Sequence, residues 1–338
     1  MKAFVYQGAY NMPLENVETP VPGEHEVLIA VRSVGICGSD VHGYRGTTGR
    51  RKPPIIMGHE LSGTVEKVGA SVSAWTPGDR VVANPLLTCG VCENCRSGRP
   101  NICSDRHCLG VDMNGAYAEY VCVHEKMVYQ LPEGLSFDQG AMVEPLAVAM
   151  RAVNLTPFQL GEKVVIIGAG TIGLLTLLAA RMRGAGEIIL TDTNGYRLER
   201  AKKLGADFVV NAVETDPVQF VKDWTNGAGA PAVIEAVGVT QTANQSLFMT
   251  KNGGNTTWIG NSQPEIQINM QQIVTRELNL RGTYGFANEF PSALETIRLG
   301  KVDPIQLVEE KIPLDGTGKM IDDLANGSVG FIKVIVNI

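Results

Sequence analysis

The run Lys163-Val-Val-Ile-Ile167 leads straight into Gly168-Ala-Gly170-Thr-Ile-Gly173 and then into helix formers that continue to Arg183. An apolar β-run, a glycine turn and a helix in that order leave few folds open. The first glycine permits a tight turn, the second lets backbone approach a pyrophosphate, and the third lets helix and strand pack closely. Unpaired N–H groups at the helix start then favour phosphate charge. Asp192 ends the next apolar run, 19 residues after Gly173. A carboxylate there accepts both ribose hydroxyls of NAD and repels the 2′-phosphate of NADP. Arg197 pulls the other way, since an arginine near the ribose can serve that phosphate. With Asp192 in its path, the sequence favours NAD.

The same rhythm repeats downstream. Short apolar runs at 163–169, 187–192, 207–212, 232–238, 255–260 and 278–285 alternate with helical stretches, including 217–225 and 241–250. Six such runs predict an α/β Rossmann domain with a doubly wound parallel sheet. The first 150 residues read differently. Segments 25–37, 61–72, 79–86 and 115–132 are β-branched or alternating, with Pro and Gly between them, and predict strands. Residues 136–153 predict one helix with Ser136 as its N-cap. A helix at 289–299 and a last strand at 331–338 follow, and that strand falls outside the six-run count.

A length of 338 residues exceeds one ordinary core and predicts two domains. A net charge of −6 leaves no basic footprint for nucleic acid or an anionic membrane. With 44% hydrophobic and 19% charged residues, the chain is not a disordered one. The N-terminal stretch has no charged segment leading into an apolar run, so no signal peptide is expected. Val164 to Ala180 is uncharged, yet it spans 17 residues interrupted by glycines, short of the roughly 20 a membrane helix needs. Cysteines without a secretion signal point to a cytoplasmic protein with thiol ligands rather than a disulfide frame.

All seven Cys and all five His fall within the first 124 residues, which predicts one metal-bearing half. Cys89, Cys92, Cys95 and Cys103 place four thiols in 15 residues of a loop rich in Gly, Pro and Asn. That spacing suits a closed structural zinc site, with an iron–sulfur cluster as the competing reading. Cys37, His59, Glu60 and Glu144 are scattered, but jointly they supply the S, N and O donors of an open catalytic zinc site. Such a zinc lowers the pKa of an alcohol, so that an alkoxide forms near neutral pH and expels hydride. His25, His107, Cys108, Cys122 and His124 have no role in either set.

GICGSDVH, the Gly58-His59-Glu60 run continuing through Gly63, Gly69 and Val72, the four-cysteine loop, EPL and GAGTIG stand in an order that resembles the zinc-dependent medium-chain alcohol dehydrogenases. Within that family the chain is most similar to the sorbitol and other polyol dehydrogenases, over essentially its whole length. The resemblance implies a GroES-like β-rich catalytic domain over 1–150, a Rossmann domain over 151–287, and a segment, 288–338, returning to the catalytic domain. It also implies an active site in the cleft between domains and two zinc ions per subunit. Cys37, His59 and Glu60 are then catalytic-zinc ligands, and Glu144 binds directly or through water. Asp40 orients the ligand histidine, and Ser39 and His42 carry the alcohol proton toward solvent. Ile172, Asp192 and Arg197 correspond to NAD contacts, and Ile259, Gly260 and Asn261 to the segment beside the nicotinamide. A homodimer or homotetramer, assembled through a sheet edge, is also implied.

Departures from the polyol pattern bear on substrate. Gly285 and Phe286 stand where sorbitol dehydrogenases carry an arginine and an aromatic hydroxyl, and Gly43 replaces a tyrosine. Tyr44, Arg45 and Arg50 are the alternative polar handles. The leading expectation is NAD-linked oxidation of a secondary alcohol in a polyol, sugar acid or phosphorylated polyol. L-threonine 3-dehydrogenase is the competing enzyme, and a non-catalytic NAD-sensing zinc protein the competing class.

Overall fold

The structure, a computed structural model, describes residues 1–47 and 49–338. The chain divides into two compact units, Met1–Glu144 with Phe290–Ile338, and Pro145–Glu289. The first division thus falls at Glu144 rather than after residue 150, inside the helix Val143–Leu155.

The Pro145–Glu289 unit holds six parallel strands. Across the sheet they run Phe208–Asn211, Ile188–Asp192, Val164–Ile167, Ala230–Glu235, Thr250–Trp258 and Asn279–Gly282. The order reverses at Val164–Ile167, and ligands of doubly wound sheets bind beyond the strand ends at such a point. Val165, Ile167, Ile189, Val210 and Val233 are buried together, with Phe220 and Trp224 packed against them. The uncharged stretch from Val164 resolves into a strand, a turn and the helix Thr171–Met182. No helix among the described residues is long and apolar enough to cross a membrane.

The other unit is built on a seven-stranded sheet whose longest strand, Glu26–Gly35, pairs with Glu60–Val68, Tyr120–His124 and Lys333–Asn337. The last of these comes from the C-terminus, so the terminal strand unplaced by the six-run count completes this sheet. Val27, Ile29 and Val31 alternate into one core with Val121, Val123, Val334 and Val336, as the period of two requires, while Leu28 and Ala30 between them are buried as well. The span 115–132 is less regular than its pattern predicts, because a short 3₁₀ turn, Glu125–Met127, splits it into two strands. The single helix expected over 136–153 is likewise two, Phe137–Ala141 and Val143–Leu155. Ser136 caps the first reciprocally: its Oγ accepts from Gln139 N at 3.1 Å, and Gln139 Oε1 accepts from Ser136 N at 2.9 Å.

Asp138, on that first helix, ties the returning segment down. Its Oδ1 accepts from Ser33 Oγ at 2.6 Å and Asn337 Nδ2 at 2.8 Å, and its Oδ2 meets Lys311 Nζ at 2.5 Å. Burial would raise its carboxyl, but Lys311, Ser33 and Asn337 outweigh burial and hold it below the usual value. A depressed folded pKa contributes stability above the unfolded value, lost as pH falls through the folded one. Asp138→Ala is expected to destabilise the protein by about 1–3 kcal/mol near neutral pH. Urea unfolding over a pH series should show that difference steady above about pH 5 and shrinking in acid.

Candidate metal and nucleotide sites

Cys89, Cys92, Cys95 and Cys103 bring their sulfurs within 4.8 Å of one another. Cys89 Sγ lies 3.5 Å from Cys103 Sγ, close to the edge of about 3.8 Å in a tetrahedron of 2.3 Å zinc–sulfur bonds. Backbone amides of Cys92, Cys95 and Asp105 donate to the sulfurs of Cys89, Cys92 and Cys103 at 3.4 to 3.5 Å. The backbone amides of Val91 and Cys92 draw the Cys89 thiol down and that of Cys95 draws Cys92 down to about 6, whereas burial and the neighbouring thiol of Cys92 push Cys95 up to about 11. Four thiolates so crowded need a cation to be ionised together, and a zinc ion fits this set.

A second convergence joins Cys37, His59 and Glu60, one ligand atom each, also within 4.8 Å. Cys37 caps the helix Gly38–Tyr44, while His59 immediately precedes, and Glu60 opens, the strand Glu60–Val68. His59 and Glu60 are buried. Burial would lower the His59 imidazole, yet Asp40 and Cys37 hold it well above its ordinary value. Negative charge therefore collects where a cation would sit, and the S, N and O donors fit zinc with an open position. Glu144 stays outside this close set, a place that suits the water-bridged form of the two expected for it. It is partly buried, and burial pushes its carboxyl up to about 7, with His59 drawing it down and Glu60 pushing it up.

Asp40 lies wholly buried beside this set. Its Oδ1 accepts from Arg51 Nη2 at 2.7 Å and faces His59 Nδ1 at 3.4 Å, while its Oδ2 accepts from Tyr117 Oη at 2.7 Å and Cys37 N at 3.2 Å. Burial would raise its carboxyl, but His59, Arg51 and Tyr117 hold it well below the carboxylate range. Arg51 also donates to Gly110 O and Ser39 O, both at 2.8 Å. A Cβ on Gly43 would stand 2.2 Å from Arg51 Nη1, so the missing tyrosine makes room for this guanidinium. Arg51, Tyr117 and Lys333, whose ammonium contacts Glu60, escape a motif reading. The only sequence signal for Arg51 is the unexpected Gly43.

Ser39 and His42 lie three residues apart on the helix Gly38–Tyr44, which puts them on one face. Ser39 is exposed and His42 partly buried. Burial and the Arg45 charge lower His42, leaving it neutral near pH 7 and able to accept a proton. The alternative substrate handles are largely engaged. Tyr44 Oη donates to Asp322 Oδ1 at 3.0 Å and Arg45 Nε to Ala325 O at 2.9 Å; Phe286 is buried. Outside both metal sets, burial pushes Cys108 up to about 11 and Cys122 up to about 12. His25 meets Glu125 at 3.1 Å and stacks on His124, and His107 faces Asp105 at 3.7 Å. A cavity of about 480 Å³ opens beside Val5, Glu15, Ile56, Met113 and Cys122. No candidate ligand lines it, so donor chemistry rather than cavity size locates the site.

In the other unit, Gly168 adopts φ +101°, and a Cβ on Gly173 would stand 1.7 Å from Gly168 O. A Cβ on Gly170 would meet nothing within 4 Å, so the turn is open where a pyrophosphate would approach. Ile172 lies in the first turn of the helix that follows. Asp192 Oδ2 accepts from Ala169 N at 2.6 Å and its Oδ1 from Asn194 N at 2.8 Å. Arg197 is partly buried, and its Nε has no hydrogen-bond partner among the described residues. Buried Glu235 accepts from Val237 N and Gly238 N at 2.8 and 2.7 Å, and its backbone carbonyl accepts from Ile259 N and Gly260 N. A Cβ on Gly238 would stand 2.0 Å from Asn261 N. These contacts fix Ile259, Gly260 and Asn261 beyond the strand ends, and the turn and carboxylate fit a dinucleotide.

Residues 23–133 match the alcohol dehydrogenase GroES-like domain, and residues 171–298 match the zinc-binding dehydrogenase domain. A sorbitol dehydrogenase of Bacillus subtilis is 36% identical, over 99% of this chain and 97% of its own. A zinc-binding dehydrogenase from Sinorhizobium meliloti, solved with NADP, is 32% identical with a TM-score of 0.92, covering 100% of this chain and 99% of its own. Galactitol-1-phosphate dehydrogenase from Escherichia coli is 27% identical with a TM-score of 0.93, each chain covered in full (100%).

Breaking a buried pair leaves an uncompensated charge. Arg51→Leu is therefore expected to cost about 3–5 kcal/mol in urea unfolding; a merely solvated loop arginine would change stability by less than about 0.5 kcal/mol.

Proposed function

Because the chain belongs to the zinc-dependent medium-chain alcohol dehydrogenase family, we propose that it oxidises a secondary hydroxyl of a polyol, sugar acid or phosphorylated polyol to a ketone, with NAD+ as hydride acceptor. The observation that carries this reading is the three-donor set of Cys37, His59 and Glu60 beside a separate set of four thiols. The first is open and suits chemistry; the second is closed and suits support of a lobe. A zinc ion in the open set supplies a Lewis acid that lowers the pKa of an alcohol.

The surrounding residues divide the remaining work. Asp40 keeps the His59 ring in place, and is itself kept charged by Arg51 and Tyr117. His42, neutral near pH 7, accepts the alcohol proton by way of Ser39. Gly168, Gly170 and Gly173 seat the pyrophosphate, and Asp192 takes the ribose hydroxyls. The anchored carboxylate supports NAD over NADP. Similarity to a sorbitol dehydrogenase and a galactitol-1-phosphate dehydrogenase supports a polyol or its phosphate. A homo-oligomer formed through the edge strand Asn279–Gly282 belongs to the same proposal; that strand pairs on one side with Thr250–Trp258.

Metal analysis is expected to find two zinc ions per chain, falling to one in Cys37→Ala and one in Cys92→Ala. With excess NAD+ and a panel of polyols, polyol phosphates and threonine, NADH should form until a chelator removes zinc. Undiminished turnover after complete removal would sink the proposal. Asp192→Ala should raise the ratio of NADP+ to NAD+ use by at least about tenfold, through loss of a like-charge contact.

A further inference from the structure

Lys333 is a buried cation beside the open donor set, where Asp40, Cys37 and Glu60 gather. Its residue exposure is 1%. It stands on the returning C-terminal strand, two residues before Ile335, which pairs with Gly35. Its Nζ donates to Ile36 O at 3.0 Å and to Glu60 Oε2 in a buried ion pair. The ammonium is thus held from two sides, between the strand that ends at Gly35 and the strand that begins at Glu60. Gly35 is part of the arrangement: a Cβ there would stand 1.9 Å from Glu60 Oε2 and 2.9 Å from Lys333 Nζ. Any side chain at residue 35 would push the pair apart.

A buried lysine is costly unless its charge is used. Zinc with the Cys37 thiolate and the Glu60 carboxylate sums to zero charge; Lys333 adds one positive charge. We propose that Lys333 is a positioning residue that keeps one oxygen of Glu60 off the metal, so that the carboxylate binds through its other oxygen and leaves a coordination place for substrate. The inference rests on the zinc-dehydrogenase reading and extends it to a residue of the last strand. The positive charge also keeps the centre electron-poor, which favours an ionised alcohol.

The proposal predicts opposite signs for metal retention and turnover. In Lys333→Gln, the amide still serves Ile36 O but the charge is gone. Glu60 is then free to grip the metal with both oxygens. Zinc release from the open set to a chelator should slow by about tenfold, because one repelling charge has left. The visible spectrum of the Co2+-exchanged site should change with the new coordination, and kcat should fall by about tenfold. Lys333→Arg should restore all three toward wild type. A lysine that merely supports packing would give faster zinc loss, or an unchanged cobalt spectrum; either result overturns the proposal. Should Lys333→Gln fail to fold, X-ray absorption of the zinc-loaded wild type decides the matter. A Glu60 carboxylate bound through one oxygen is expected, and one bound through both refutes the role. Zinc release and cobalt spectra need no substrate. Failure of the wild type to oxidise any alcohol would therefore leave a signature distinct from failure of the Lys333 role.

Discussion

The antiparallel pairing of Lys333–Asn337 with Glu26–Gly35 is the contact on which the metal-bearing unit depends. It brings the end of the chain against the strand leading to Cys37. The Lys333–Glu60 pair beside the open donor set follows from that register. Lys333 reaches Glu60, Asn337 reaches Ser33 and Asp138, and Val334 and Val336 fill the same core as Val27 and Ile29. A slip of one residue would turn Lys333 to the opposite face and put an apolar side chain beside Glu60. The unit therefore cannot complete its sheet and its metal site independently.

The second dependence is electrostatic. Asp40, Arg51, His59, Glu60 and Lys333 are all buried within one small region. None is tolerable alone, since an unpaired ion in such surroundings costs several kcal/mol. Together they form two linked pairs, Arg51 with Asp40 and Lys333 with Glu60. Each pair fixes a residue at the donor set: Asp40 faces the His59 ring, and Glu60 supplies an oxygen. Tyr117 adds a hydroxyl to Asp40 from a position fully enclosed by the core. A metal entering here meets geometry already set by partners that do not touch it.

What the sequence makes legible is what lies close along the chain. The four thiols occupy one short loop, His59 and Glu60 are adjacent, and the glycine turn joins one strand to one helix. Spacing alone then carries the chemistry. Lys333, Tyr117 and Arg51 meet their partners across 273, 77 and 11 residues, and no periodicity encodes such contacts. Gly43 shows how a local reading misleads. Taken by itself it is a lost tyrosine and a lost substrate handle; in the fold it is the space into which Arg51 inserts. Glu144 shows the reverse limit: its oxygen-donor chemistry suits zinc, but only the fold shows that its carboxylate stays outside the close set. The four-thiol loop and the parallel sheet could be read from residues near in sequence and the scattered open set from its joint donor chemistry, whereas the ion pairs around them required tertiary contacts.

Cofactor choice turns on how firmly a charge is held. A carboxylate at the end of the second parallel strand repels a 2′-phosphate only if it cannot swing aside. Asp192 accepts from Ala169 N with one oxygen and Asn194 N with the other, so rotating away would leave two amide donors without their acceptor. The Ala169 amide belongs to the glycine turn itself, which couples the carboxylate to the pyrophosphate seat. Arg197 offers a compensating charge, and its Nε lacks a partner among the described residues. A freely pivoting aspartate could let that guanidinium dominate; one held by two amides keeps its negative charge at the end of the strand, the ground on which NAD is proposed over NADP. Each oxygen still has a lone pair to accept a ribose hydroxyl, so the two anchoring amides leave the proposed NAD contact open.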